Sequence, residues 1–195
     1  MITVLEKSDK RMQAVDLASK LLENHIIFIT DELDSYTITS YQAQLLYLMT
    51  QLTPEGTKEN PIQIYINSPG GEVYSTFGLY DTMQMMIKKG YIIETVNIGL
   101  AASGASVILM AGSPGYRFGL PNSTVMVHQP HTRTAGTTAE IINEGKEMQR
   151  IKDIMANIAR KHCCEEVVPL LEKDSYMSPE EAVELKVIDQ ILGND

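Results

Sequence analysis

The apolar positions change period several times along this chain, and each change predicts an element. Ile2, Val4 and Leu5 carry no partner pattern, so residues 1–8 read as a tail or arm. Over residues 10–24 apolar side chains recur at Met12, Val15, Ala18, Leu21 and Leu22, the stripe of a helix. Ile26-Ile27-Phe28-Ile29 is short and wholly apolar, as a buried strand is, and a polar turn over 30–35 closes it. A second helix is predicted over about 38–52, with Tyr41, Leu45, Leu48, Met49 and Leu52 on one side. Residues 53–61 hold two prolines and a glycine among polar residues and read as a surface loop.

Next comes the run Ile64-Tyr65-Ile66-Asn67-Ser68-Pro69-Gly70-Gly71, a strand ending abruptly in a di-glycine turn. A helix over about 75–89 and a strand over 91–98 follow, then Leu100-Ala101-Ala102-Ser103-Gly104, where Ser103 opens another helix. A Gly/Pro turn at 112–115 precedes the strand 124–128. Strands alternating with helices predict an α/β domain, and the strand–turn–helix units at 62–89 and 91–112 resemble each other loosely. The longest helical pattern covers 137–161 and opens with a capping box, Thr137 and Glu140. At 1.5 Å per residue it spans about 37 Å, more than a small domain needs, so it crosses the domain or protrudes to meet a partner. Ser178, Pro179 and Glu181 cap a short helix, and 187–192 make a last strand.

At 195 residues the chain is long enough to bury a sizeable core, and 44% hydrophobic with 21% charged residues is ordinary for a globular protein. No apolar run approaches the ~18–20 residues that span a bilayer, and no secretory signal is expected at the start. Acidic residues outnumber basic ones, 25 to 16, with no Lys/Arg cluster, which argues against nucleic acid as a partner. Cys163 and Cys164 adjoin each other and are expected to be reduced thiols near a helix start, not a metal site. Eleven methionines and no tryptophan suggest adaptable apolar surfaces.

Chemistry concentrates where small residues end strands. Ser103 stands at a helix start, where free N–H groups and the dipole favour negative charge, and the Gly70-Gly71 turn can leave N–H groups uncovered. A hydroxyl facing such amides has the parts for attack on a carbonyl with an oxyanion hole beside it, formed by Gly71 and Gly104. Ser106 is the rival nucleophile, one turn further on and poorly exposed. His128 ends an apolar strand, where an α/β sheet presents side chains to a cleft. His131 is its rival, in the irregular stretch after Pro130, while His25 and His162 adjoin helix ends and read as surface. The carboxylate that would hold the imidazole is open among Asp174, Asp189, Asp81 and Asp153; the last two read as solvated helix faces.

Five ordered motifs then carry a resemblance. Ile66-Asn67-Ser68-Pro69-Gly70-Gly71, Ala101-Ala102-Ser103, and Leu120-Pro121-Asn122 leading to Met126-Val127-His128-Gln129-Pro130 are similar to the proteolytic subunits of Clp proteases. Tyr176-Met177-Ser178 with Glu180-Glu181-Ala182, and Val187-Ile188-Asp189, fit as well. The resemblance implies Ser103 as nucleophile, His128 as general base and then acid, Asp174 as orienting carboxylate, and Gly71 and Gly104 as oxyanion donors. It implies an α/β, ClpP/crotonase-like fold: an N-terminal axial arm (1–9), one peptidase domain (10–193) and a protruding handle at about 129–161. It further implies a cytoplasmic homo-oligomer of two stacked heptameric rings, a 14-mer, fed with unfolded polypeptides by an AAA+ unfoldase such as ClpX, ClpA or ClpC. ATP is then used by that partner, with no cofactor or metal in this subunit and no role for membrane or nucleic acid. Glu172-Lys173 stands where the family has an acidic–basic pair at the ring-to-ring contact.

Three departures from the family pattern set further expectations. Gly104 replaces the usual methionine, keeping the N–H donor but removing a wall of the substrate pocket. The family's glycine-rich segment reads His131-Thr132-Arg133-Thr134-Ala135-Gly136, bulkier and charged. The 53–61 loop and the turn near Lys88-Lys89-Gly90 are longer than usual and the N-terminal arm is short, which bears on gating and ATPase docking. Two other functions compete with the peptidase. One is a structural ring subunit, suggested by the altered 131–136 segment. The other is a crotonase-type acyl-CoA enzyme, for which Glu72 is the one carboxylate near the di-glycine turn.

Overall fold

The computed structural model describes residues 2–8 and 11–193. In chain order the elements are β1 (Thr3–Ser8), β2 (Arg11–Asp16), α1 (Leu17–Glu23), β3 (Ile26–Ile29), α2 (Ser35–Gln51), α3 (Pro54–Glu59), β4 (Ile62–Ser68) and α4 (Val73–Lys88). They continue with β5 (Ile93–Ala102), α5 (Gly104–Met110), β6 (Arg117–Gly119), β7 (Thr124–Val127), α6 (Thr138–His162), α7 (Val167–Leu170), β8 (Ser175–Met177), α8 (Pro179–Glu184) and β9 (Gln190–Ile191). The α/β class expected from the alternation is the one adopted.

The main sheet runs β3-β4-β5-β6-β9, all parallel, and forks at β5. The first half of β5 pairs with β6 through Thr95–Asn97, and the second half pairs with β7 through Leu100–Ala102. This double pairing holds β5 extended four residues beyond the predicted end at Ile98 and carries it to Ala102, next to Ser103. β8 then adds antiparallel to β7.

Period-2 alternation sends Ile62, Ile64 and Ile66 of β4 into the core, against Leu45 and Leu48 of α2 and Leu79, Met83 and Met86 of α4. Each such fully buried side chain stabilises the fold by roughly 1.5–3 kcal/mol. On the opposite face Tyr65 stacks on Phe28, ring centroids 5.2 Å apart. α2 starts at Ser35, three residues before the prediction, because Asp34 and Thr37 close a reciprocal capping box.

The N-terminal region differs from expectation. Residues 3–8 are a strand paired with 11–16, Thr3 opposite Asp16, and that pairing crosses the expected boundary between arm and domain. The predicted helix over 10–24 forms only from Leu17, after Asp16 caps it by accepting from the Ser19 N–H at 3.0 Å. Its first apolar position, Met12, is 61% exposed, so the helical spacing there served no burial; Lys10 lies outside the described residues. The presumed loop at 53–61 also contains a helix, α3. Thr53 caps it, Pro54 occupies its first position, and buried Thr57 accepts a hydrogen bond from the Ile92 N–H at 2.9 Å. The last strand shrinks from 187–192 to β9.

α6 begins at Thr138, with its capping box as read, whereas 129–136, placed in the handle, holds no helix. All its buried residues, Ile151, Met155, Ile158 and Ala159, lie in the second half; Met148 packs against the edge of the core, and the first turns are exposed, Ile141 and Ile142 included. No helix among the described residues is long and apolar enough to cross a membrane.

Candidate active site

Ser103 sits between the end of β5 and the first turn of α5 with φ 53° and ψ −122°, one of three non-glycine residues described at positive φ. Such a conformation costs of order 1–3 kcal/mol and persists only where the surroundings hold it. The Ser103 N–H donates to the Met126 carbonyl at 2.9 Å, and its own carbonyl accepts from the Ser106 hydroxyl at 2.6 Å and the Ser106 N–H at 3.0 Å. Ser106 is thereby 2% exposed and committed, so the rival nucleophile is occupied with positioning Ser103.

The di-glycine turn is fastened on its other side. The Leu33 N–H donates to the Gly70 carbonyl at 2.8 Å and the Glu72 N–H to the Leu33 carbonyl at 2.6 Å, while the Ser68 hydroxyl donates to the Asp31 carbonyl at 2.6 Å. Gly70, at φ 87°, lies directly against the Ser103–Gly104 peptide: a Cβ there would stand 2.7 Å from the Gly104 nitrogen. A Cβ on Gly71 would stand 2.3 Å from the Leu33 oxygen. Only glycine admits this approach. Among the described residues neither the Gly71 nor the Gly104 N–H has an intramolecular acceptor, and both residues line the cavity that contains Ser103 and His128.

His128 follows β7 directly. Because β7 and β8 are antiparallel with Val127 opposite Ser175, extending that register by one pair brings His128 opposite Asp174. The imidazole Nε2 lies 2.8 Å from Ser103 Oγ and Nδ1 lies 3.1 Å from Asp174 Oδ1. A carboxylate can only accept, so Nδ1 carries the proton and Nε2 is free to accept from the serine hydroxyl. Of the four carboxylates weighed, it is Asp174 that the register brings to the imidazole. β8 is among the elements absent from the sequence reading, and the alternating triplet Ser175-Tyr176-Met177 is the faint signal for it.

The other candidates are elsewhere. Asp189 forms a salt bridge with buried Arg117 at 2.5 Å and accepts the Gly115 and Arg117 amide N–H groups. Burial alone would raise its carboxyl, but these Arg117 contacts outweigh it and hold it below the usual carboxylate range. Asp81 is exposed on α4, and Asp153 on α6 accepts from Gln149 at 2.9 Å. His131 stands edge-on to His128, ring centroids 5.6 Å apart. His25, expected at the surface, is partly buried, with Nδ1 3.4 Å from the Asn60 carbonyl oxygen. His162 is not a surface residue: its ring is partly buried, Nε2 lies 2.9 Å from Tyr80 Oη, and burial with nearby Lys161 and Arg117 lowers it to about 4. Cys163 and Cys164 are free; Cys163 closes the C-terminal end of α6, and the Cys164 carbonyl accepts from the Val167 N–H at 3.1 Å, next to the start of α7. Burial pushes the Cys163 thiol up to about 12, far from a reactive thiolate. Among the described residues no cluster of His, Cys, Asp or Glu has the arrangement to hold a metal ion.

The cavity beside Ser103 measures about 260 Å³. Gly104 does not open a gap in its wall as anticipated. A Cβ on Gly104 would stand 2.6 Å from Thr76 Oγ1 and 3.4 Å from Leu33 Cδ1, so Thr76 fills that side.

The chain matches the family model described as Clp protease over residues 8–195. It is 38% identical over 97% of its length to the ATP-dependent Clp protease proteolytic subunit of Deinococcus radiodurans, covering 90% of that protein. The same identity and coverage hold for the subunits of that name from Porphyromonas gingivalis and Bacteroides fragilis, of which 83% and 89% are covered. With these likenesses and an α/β fold consistent with them, the chain belongs to the Clp protease family and is a protease.

Proposed function

We propose that this protein hydrolyses peptide bonds by a serine acyl-enzyme route. Ser103 attacks the peptide carbonyl while His128 takes its proton through Nε2, then returns it to the leaving amine; Asp174 keeps Nδ1 protonated and steadies the imidazolium. The oxyanion is received by the Gly71 and Gly104 N–H groups, and water, activated by His128, releases the acyl group. One observation carries this reading: the continuous hydrogen-bonded line Ser103–His128–Asp174, at 2.8 and 3.1 Å, beside two uncommitted amides.

The relatives' names describe proteolytic subunits of ATP-dependent proteases, which supports extending the reading to the assembly. The active form is a homo-oligomer of two stacked heptameric rings in the cytoplasm, supplied with unfolded polypeptide by an AAA+ unfoldase of the ClpX, ClpA or ClpC kind. ATP is spent by that partner; the subunit itself needs no cofactor. The exposed first turns of α6, with Ile141 and Ile142, suit a helix that packs against another subunit. The competing scaffold and acyl-CoA readings draw no support from the site. Its hydrogen-bonded line is complete, and Glu72, the nearest carboxylate to the di-glycine turn, is exposed and accepts from Ser75.

A fluorophosphonate provides the test. Ser103 is expected to be labelled, and Ser103→Ala to abolish labelling and lower peptide turnover about 10³–10⁶-fold. Labelling at Ser106, or turnover that survives in Ser103→Ala, overturns the assignment. Native mass measurement of the purified chain tests the 14-mer separately.

A further inference from the structure

The cavity beside Ser103 has an apolar floor, made by Val73, Phe77, Val107, Met148 and Ile151, and a carboxylate at its side. That carboxylate is Glu144 of α6, half-buried, with Oε1 accepting from the Thr132 hydroxyl at 3.2 Å. Its neighbour one turn away is differently placed. Glu147 is paired with Arg150 at 2.6 and 2.8 Å and receives the Tyr74 hydroxyl at 2.9 Å, so its charge is already compensated. Glu144 has no such cation among the described residues. Neither lysine nor arginine lines the cavity, while exposed Glu72 adds a second negative charge to its rim.

An aliphatic side chain entering this pocket would press on Glu144 and partly desolvate its charge without replacing the lost water. A lysine or arginine side chain lays its methylene stem along apolar surface and keeps its head for a charged partner. Such a side chain suits both halves of this cavity, and the contact it would make with Glu144 is charge-assisted, the stronger kind of hydrogen bond. We propose that Glu144 is a specificity-determining residue, and that the pocket prefers a cationic side chain, lysine or arginine, on the acyl side of the bond cleaved. This rests on the reading of Ser103 as the peptidase nucleophile.

The test uses the full chain and a pair of fluorogenic tripeptides differing only at that side chain: lysine, or norleucine, which has the same stem without the ammonium. The lysine peptide is expected to have a kcat/KM about tenfold above the norleucine peptide, from a charged hydrogen bond partly open to water. Raising the salt should narrow that ratio. Glu144→Gln should bring the ratio near one, and Glu144→Lys should invert it. A norleucine preference in the unmodified chain, or a ratio that Glu144→Gln leaves untouched, overturns the proposal. Fluorophosphonate labelling separates the two readings: Ser103 labelled with a flat ratio removes only the role of Glu144, whereas no labelling and no turnover removes the peptidase reading as well.

Discussion

A Cβ placed on Gly70 would lie 2.8 Å from the Cβ of Ser103 and 2.5 Å from the carbonyl oxygen of Ala102. Two strand ends, those of β4 and β5, are therefore in van der Waals contact through a residue without a side chain. Both residues also hold positive φ, 87° and 53°. The strain at Ser103 and the closeness of Gly70 are two sides of one arrangement, which brings the hydroxyl to His128 and leaves the Gly104 N–H without an intramolecular acceptor.

Gly70→Ala tests that arrangement. The left-handed backbone costs an L residue roughly 1–2 kcal/mol, and the overlap with Ala102 adds to it. The expected result is a melting temperature lower by several degrees together with a peptidase rate reduced by at least about 100-fold, since the oxyanion donors move. Far-ultraviolet circular dichroism should remain near that of the unmodified chain. A variant with normal melting and normal turnover would show that the close approach is not required.

Asp174→Asn probes the weakest member of the line. Its side chain is 67% exposed, and its contact with His128 is 3.1 Å. Replacing a buried triad aspartate by asparagine lowers kcat by about 10⁴ through the wrong imidazole tautomer. Here solvent already screens the carboxylate, so a smaller loss, about 10²–10³ in kcat with KM little changed, is expected. Fluorophosphonate labelling at Ser103 should slow in parallel. A loss confined to KM would reassign Asp174 to substrate contact.

How much of this was legible beforehand depends on range. The alternation of Ile62, Ile64 and Ile66, the caps at Thr137 and Ser178, and the small residues around Ser103 are local signals, and each produced the element or turn they predict. The position of Asp174 opposite His128 is not local. It depends on the antiparallel register of β7 with the three-residue β8, too short to leave a periodic trace. The same holds for Thr76, whose bulk beside Gly104 emerges only when α4 packs on α5. At the N-terminus the failure was of another kind: residues 10–24 show helical spacing, yet the strand pairing of 11–16 with 3–8 leaves Met12 exposed, so the spacing there carried no information about a core.

Stability should fall with acidity through His162. The ring is lowered from its ordinary 6.5 to about 4 chiefly by burial, with Lys161 and Arg117 adding to the effect. The unfolded chain thus binds a proton near pH 6.5 that the folded chain refuses until near pH 4. Unfolding takes up that proton, so stability is full above pH 6.5 and declines as pH falls from 6.5 toward 4. With a ring only partly buried, the loss is about 1–2 kcal/mol after allowing for screening. Denaturant titrations at pH 7 and pH 4.5 measure it. His162→Gln, which keeps a group able to meet Tyr80, should flatten the decline over that interval; an unchanged slope would place the acid sensitivity elsewhere.

Gly104 and Thr76 should behave as a coupled pair. A methyl group at 104 meets Thr76 Oγ1 at 2.6 Å and Cγ2 at 3.3 Å, and Thr76 is 1% exposed with its hydroxyl donating to the Glu72 carbonyl at 2.8 Å, so it has little freedom to yield. Gly104→Ala alone is expected to cost about 1–3 kcal/mol and to reduce turnover, because the displaced peptide carries an oxyanion donor. Thr76→Ala alone removes a short helical hydrogen bond and some packing, at about 1 kcal/mol. The double variant deletes both atoms that the new methyl would strike. It should therefore be more stable than the sum of the single changes by at least about 1 kcal/mol, and it should recover part of the lost turnover. Strict additivity in the cycle would mean that the backbone at 104, not the threonine, excludes a side chain there.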